Sequence, residues 1–141
     1  MAFVTGASRG IGKQTALSLA RSGLDVAIGA RTLQEGQGRD DGDPAGRPVP
    51  GSLESTASLV AEEGRRALPV RMDLTDHESL ERAVEEVVRQ WGRIDVLVNN
   101  AGGWLPRPLM ETSERAFEAA HRFNVTAPFV LIRLVVPVMI E

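Results

Sequence analysis

With 141 residues, 43% of them hydrophobic and 25% charged, the chain has the make-up of one ordinary globular domain with a sizeable core. A net charge of −3, from 16 scattered basic and 19 acidic residues, argues against a nucleic-acid or anionic-membrane partner. Cysteine is absent, which excludes disulfides and thiolate metal sites; the two histidines, His77 and His121, lie in no cluster of ligand residues.

Residues 2–5 are a short apolar run that reads as a buried strand, and Thr5-Gly-Ala-Ser-Arg-Gly-Ile-Gly12 follows at once. Glycines 6, 10 and 12 fall where a strand turns sharply into a helix. Gly6 permits the tight turn, Gly10 lets backbone approach a bulky anion, and Gly12 lets the helix pack close to the sheet. The first turn of that helix offers unpaired N–H groups and a partial positive charge, which suit a phosphate. A Walker loop is excluded, because five residues separate Gly6 from Gly12 and Gln14 follows Lys13. The Gly-x-Gly-x-x-Gly fingerprint fails on spacing as well.

In the helix that follows, Ile11, Thr15 and Leu19, with Ala16 and Ala20, are expected to face inward, and Gly23 closes it. Residues 25–30 read as a second strand. Composition then changes: eight of the eighteen residues from Gln34 to Gly51 are Gly or Pro. This segment reads as a flexible loop, either a disordered surface insertion or a lid over a ligand, since it leaves the carboxyl end of a strand.

Ser52 starts a helix to about Glu63 with Leu53, Ala57, Leu59 and Val60 inward and Gly64 at its end. Residues 67–73 read as a third strand. Thr75 and Glu78 have capping-box spacing, ahead of a helix carrying Leu80, Val84, Val87, Val88 and Trp91 and stopped by Gly92. Residues 94–99 form a fourth strand, nearly all apolar as in a parallel sheet covered on both faces. Ser113 opens a last helix reaching about Met139 and bent at Pro128. The longest apolar stretch, Phe129–Ile140, has twelve residues and includes Arg133 and Pro137, too short to span a bilayer. The amino terminus has no basic region ahead of an apolar stretch, and Gly6 interrupts it early. A cytoplasmic location is the expectation.

Strands alternating with helices imply an α/β fold, a doubly wound parallel sheet with right-handed crossovers and no second domain. Ligands of such sheets bind at the carboxyl ends of the strands, and every polar or glycine-rich feature above falls on that edge. Thr5-Gly-x-x-x-Gly-Ile-Gly12, Asp73-Leu-Thr after the third strand and Asn99-Asn-Ala-Gly102 after the fourth resemble, in order and position, the short-chain dehydrogenase/reductase family. The resemblance covers the whole chain and implies a Rossmann-like domain over residues 1–141. It also implies hydride transfer between a nicotinamide dinucleotide and a carbonyl or alcohol substrate.

It further implies cofactor contacts. Gly6, Ser8, Arg9, Gly10, Ile11 and Gly12 would lie at the phosphates, Asp73 and Leu74 at the adenine, and Asn100, Ala101 and Gly102 at the ribose and nicotinamide. A structural alternative for Asn99 and Asn100 is a polar end to a buried strand, satisfied by neighbouring backbone.

An acid at the end of the second strand would favour NAD. Here Ala30-Arg31-Thr32 stands instead, and Arg9 points toward the same region in the family. NADP is therefore the expected cofactor, with Arg31 and Thr32 contributing, although Arg31 also reads as a solvated loop charge. Asn124 matches the family's catalytic asparagine; its alternative reading is a buried helical Asn at the kink before Pro128.

The family's serine and Tyr-x-x-x-Lys pair have no counterpart here. The chain ends at Glu141 before the segments that would carry them, and it contains no tyrosine. Two functional readings follow: the cofactor-binding part of an NADP-dependent oxidoreductase, or an inactive relative that binds nucleotide or pairs with another subunit. The apolar fourth strand and final helix, the latter part of a subunit interface in the family, point to self-association or a homo-oligomer.

Overall fold

The computed structural model describes residues 1–39, 45–103 and 108–140. Four strands, β1 (Ala2–Thr5), β2 (Val26–Ala30), β3 (Ala67–Arg71) and β4 (Val96–Val98), form one parallel sheet in the order β3-β2-β1-β4. Helices α1 (Gly10–Arg21), α2 (Leu53–Glu62) and α3 (His77–Trp91) connect them. After β4 come α4 (Glu114–His121), a π-helical turn over Arg122–Thr126, and α5 (Ala127–Ile140). The doubly wound, Rossmann-like layout read from the sequence is present.

The central strands β1 and β2 are buried on both faces, and β3 and β4 largely half-buried, because alternate side chains serve two cores. Ala2, Val4, Val26 and Ile28 pack with Ala16, Leu17 and Ala20 of α1 and Leu53 and Val60 of α2. Phe3, Ala27 and Val70 pack on the other face, with Leu80, Val84 and Val87 of α3 and Ala127, Leu131 and Val135 of α5. Strand boundaries differ from the expectation by at most two residues at either end.

Three local expectations are corrected. In α1 the buried stripe is Gly12, Ala16, Leu17 and Ala20, while Ile11 is 79% exposed. The helix is turned so that Gly12 faces the Gly6 carbonyl and Asn100, contacts too close for any side chain. That rotation carries Ile11 outward. Second, Thr75 does not cap α3. The N-cap is Asp76, whose side chain makes no capping bond, and Thr75 instead gives its N–H (2.9 Å) and hydroxyl (2.7 Å) to Asp73 Oδ1. A carboxylate two residues back is the stronger and nearer acceptor. Third, Asn124 is exposed, not buried. The helical run is interrupted by the π turn that holds it, ahead of Pro128, which has no N–H to give.

The loop from Gln34 to Gly51 is described except for residues 40–44, and that part of the expected flexible loop lies outside the described residues. Its two stems are joined. Arg39 and Pro48 form an antiparallel bridge, and Val49 N donates to Gly38 O over 3.1 Å. The helical run Glu114–Ile140 spans 27 residues, with a mean hydropathy of 1.9 in its most apolar window. It is long and apolar enough, by length and composition, to cross a membrane, which residues 129–140 alone did not suggest. Its packing on α3 through Leu131 and Val135, and the presence of Glu118, His121, Arg122 and Arg133 within it, favour a helix docked on the sheet.

Candidate nucleotide site

β1 and β4 end side by side, and their carboxyl ends are bolted together by Thr5 and Asn100. Thr5 Oγ1 accepts from Asn100 N (3.1 Å) and Ala101 N (3.0 Å), and donates to Val98 O (3.3 Å). The Asn100 side-chain amide donates to Thr5 O (2.9 Å) and Gly6 O (3.4 Å). The glycine-rich turn and the Asn-Asn-Ala-Gly run are thus one hydrogen-bonded unit. Asn100 is a strand-end asparagine satisfied by neighbouring backbone, as the structural reading expected. Asn99 is not, since its buried Oδ1 has no partner among the described residues.

Gly6 sits at φ +69°, and a Cβ there would meet the Ala101 Cα at 2.8 Å. Its N–H donates to Gly29 O at 2.7 Å, which fixes the turn against β2. Gly10 has a positive φ of 56°, and a Cβ there would meet nothing within 4 Å. This is the open side of the turn. Arg9 is the N-cap of α1 but makes no side-chain cap, and no acid lies in the first turn. The field of the helix N-terminus therefore stays uncompensated by α1's own side chains. Ser8 is buried beneath the turn.

Arg9 extends to the end of β2. Its Nη2 donates to Thr32 Oγ1 (3.1 Å) and Gly51 O (3.3 Å), while its Nε is buried without a partner among the described residues. Arg9 and Thr32, both named from sequence, are brought together. Arg31 is exposed at the same strand end. Asp73 and Leu74 follow β3 on the same sheet edge. Asp73 Oδ1 is engaged by Thr75, and Asp73 N donates to Ser79 Oγ at 3.0 Å. Leu74 is half-buried against the α3 core.

Asn124 reaches back to the loop after β4. Its Nδ2 donates to Gly103 O and to Ala120 O, each at 2.8 Å, and a Cβ on Gly102 would meet Asn124 Oδ1 at 2.6 Å. Gly102 and Asn124 are therefore juxtaposed. Ile11, by contrast, makes no core contact and faces outward.

Three residues of this edge were not singled out from sequence. Thr56, buried in α2, donates to Ala7 O at 2.9 Å and ties that helix to the glycine turn. A mid-helix threonine signals this only weakly. Glu35 Oε1 accepts from Gly51 N at 2.7 Å. Both Glu35 and Gly51 were hidden in the loop composition.

A family model described as short chain dehydrogenase matches residues 48–141, more than half of the chain. Hydroxysteroid dehydrogenase-like protein 2 of Xenopus laevis is 33% identical over 96% of this chain, which spans 30% of that protein. Carveol dehydrogenase from Mycobacterium avium, solved with NAD, superposes with a TM-score of 0.80 at 30% identity, over 98% of this chain and 48% of its own. A metagenomic short-chain oxidoreductase solved with NADP gives 0.78 at 33% identity, over 99% and 56%. The chain thus spans between about a third and about half of the length of these relatives. The match to the family model, together with the parallel sheet and the turn between β1 and α1, establishes that this chain belongs to the short chain dehydrogenase family.

Proposed function

We propose that this chain supplies the dinucleotide-binding part of an oxidoreductase that moves a hydride between NADP(H) and a carbonyl or alcohol carbon of a small molecule. One observation carries the reading: an uncapped helix N-terminus, an open Gly10 and a guanidinium whose buried Nε has no partner among the described residues meet at one sheet edge. That is a donor set for a polyanion. The nicotinamide would supply the hydride carbon, while the protein binds and orients it.

In this reading the turn Gly6–Gly12 takes the phosphates on backbone N–H groups. Asp73 and Leu74 flank the adenine, and Asn100 to Gly102 border the ribose and nicotinamide. Arg9, Arg31 and Thr32 face a 2′-phosphate. Asn124 holds the loop at the reacting end. Ala30 and Arg31, in place of an acid, support NADP over NAD. Calorimetric titration of the chain with NADP⁺ and NAD⁺ tests this. Tighter NADP⁺ binding is expected, and Arg31→Asp should reverse the order by about tenfold, the worth of one charge-assisted contact. Equal affinities that the substitution leaves unchanged would overturn the preference.

The absence of tyrosine favours a second reading for these 141 residues taken alone: nucleotide binding or subunit pairing without turnover. The family's tyrosine proton donor has to come from outside them. NADPH oxidation with a panel of ketones tests this second reading: the chain alone is expected to show none above background, and protein-dependent turnover would overturn it.

A further inference from the structure

The Gly/Pro-rich arm between β2 and α2 is not an idle insertion. Its described stems close on the phosphate turn at three points. Gly51 O accepts from Arg9 Nη2 at 3.3 Å. Gly51 N is in turn held by the Glu35 carboxylate at 2.7 Å, so both polar backbone groups of Gly51 are committed. A Cβ on Gly51 would meet Ser8 O at 2.6 Å and Arg9 Cβ at 2.9 Å, and a Cβ on buried Gly38 would run into the Arg9 guanidinium. Gly38 is therefore small because the Arg9 guanidinium lies against it, and Gly51 because the Ser8–Arg9 segment does. Gly51 also has a φ of +104°, which a side chain would strain.

The consequence is an ordered arginine. A guanidinium on a long side chain ordinarily loses much rotamer freedom when it grips a ligand. Here one nitrogen is already spent on Thr32 and Gly51, so the side chain is fixed before any ligand arrives, and Nε is left buried and, among the described residues, without a partner.

We infer that the arm is a positioning element: Glu35, through Gly51, presets Arg9 for the phosphate that distinguishes NADP from NAD. Glu35 acts through its neighbour and touches no cofactor. The inference rests on the proposed NADP reading and adds a cause for the preference that lies outside the turn itself. An acid so near would, by charge alone, disfavour a phosphate; its bond to Gly51 N gives it a different task.

The test uses Glu35→Leu, Glu35→Gln and Gly51→Ala in the full 141-residue chain. Two readouts are taken: the Arg9 Nε–H resonance without ligand, and the ratio of NADP⁺ to NAD⁺ affinity by calorimetry. Glu35 is exposed, so its replacement does not threaten folding. Glu35→Leu and Gly51→Ala are expected to average the Arg9 signal and to lower the ratio by about tenfold, as for loss of one charge-assisted contact. Glu35→Gln, which keeps the acceptor, should retain both. An unchanged signal or ratio in Glu35→Leu would overturn the inference and leave the NADP reading standing. A rise in NADP⁺ affinity would do the same and show Glu35 acting as a simple repelling charge. If the unaltered chain binds neither dinucleotide, the proposed function falls, and this inference with it.

Discussion

Asn100 joins two segments 94 residues apart in the chain through its own side chain. Its amide reaches Thr5 O and Gly6 O, and its backbone N–H reaches Thr5 Oγ1. Replacing it by Ala removes the partner of a strand-end carbonyl beside a glycine turn. The cost should be about 1–3 kcal/mol, in the range of an unsatisfied buried acceptor. Urea denaturation without nucleotide measures it; a loss seen only with nucleotide present would mean that Asn100 serves the ligand alone. Thr5→Val should cost a comparable amount, because Thr5 Oγ1 serves three backbone groups at once. Motif spacing places these residues at one edge. It does not reveal that Asn100 is spent on the turn while Asn99 has, among the described residues, an open acceptor.

Between elements, the clearest charged contact lies on the opposite edge of the sheet, away from the candidate site. Asp25, just before β2, accepts from Arg66 N (3.0 Å) and Arg66 Nε (2.8 Å) and pairs with Arg65 at 2.9 Å. The backbone bond from Arg66 holds its carboxyl below the ordinary value of 3.8, with help from the two guanidinium groups and against partial burial. A depressed acid stabilises the fold above its unfolded pKa, and that contribution disappears as pH falls through the folded value. Asp25→Asn should therefore lower the unfolding midpoint near neutral pH, and the difference from the unaltered chain should vanish in acid below 3.8. A difference that is independent of pH would show that the carboxylate's charge is irrelevant. The same element scale explains α1. Helical periodicity identified the helix, but the choice between two neighbouring stripes was made by Gly12 wedged on Gly6.

For the whole molecule, the sheet has two edges, β3 and β4, and the β4 edge carries Val96, Leu97 and Val98. On α5, Phe129 is 57% exposed, Ile132 47% and Val136 42%. An open strand edge and an apolar helix face of this kind favour association. The chain is expected to self-associate at micromolar concentration, and Ile132→Glu with Val136→Glu should shift it toward monomer in sedimentation. A cooperative monomer before substitution would count against this expectation. Ile11 belongs to the same class of surface: apolar, exposed and next to the glycine turn.

Periodicity and punctuation in the sequence determined the order of strands and helices, their parallel pairing and the sheet edge on which the glycine turn, Asp73 and Asn100 would gather. These follow from local rules. Apolar runs of strand length must be covered on both faces, glycines permit only certain turns, and crossovers have one hand. Contacts between residues far apart in the chain had no such local trace. The arm around Arg9, the Thr56 tie to Ala7, the outward Ile11 and the Asp73 turn that displaced a capping box were decided by which groups met after folding. Composition marked residues 34–51 as glycine- and proline-rich; only the tertiary structure showed that Gly38 is small because the Arg9 guanidinium lies against it and Gly51 because the Ser8–Arg9 segment does.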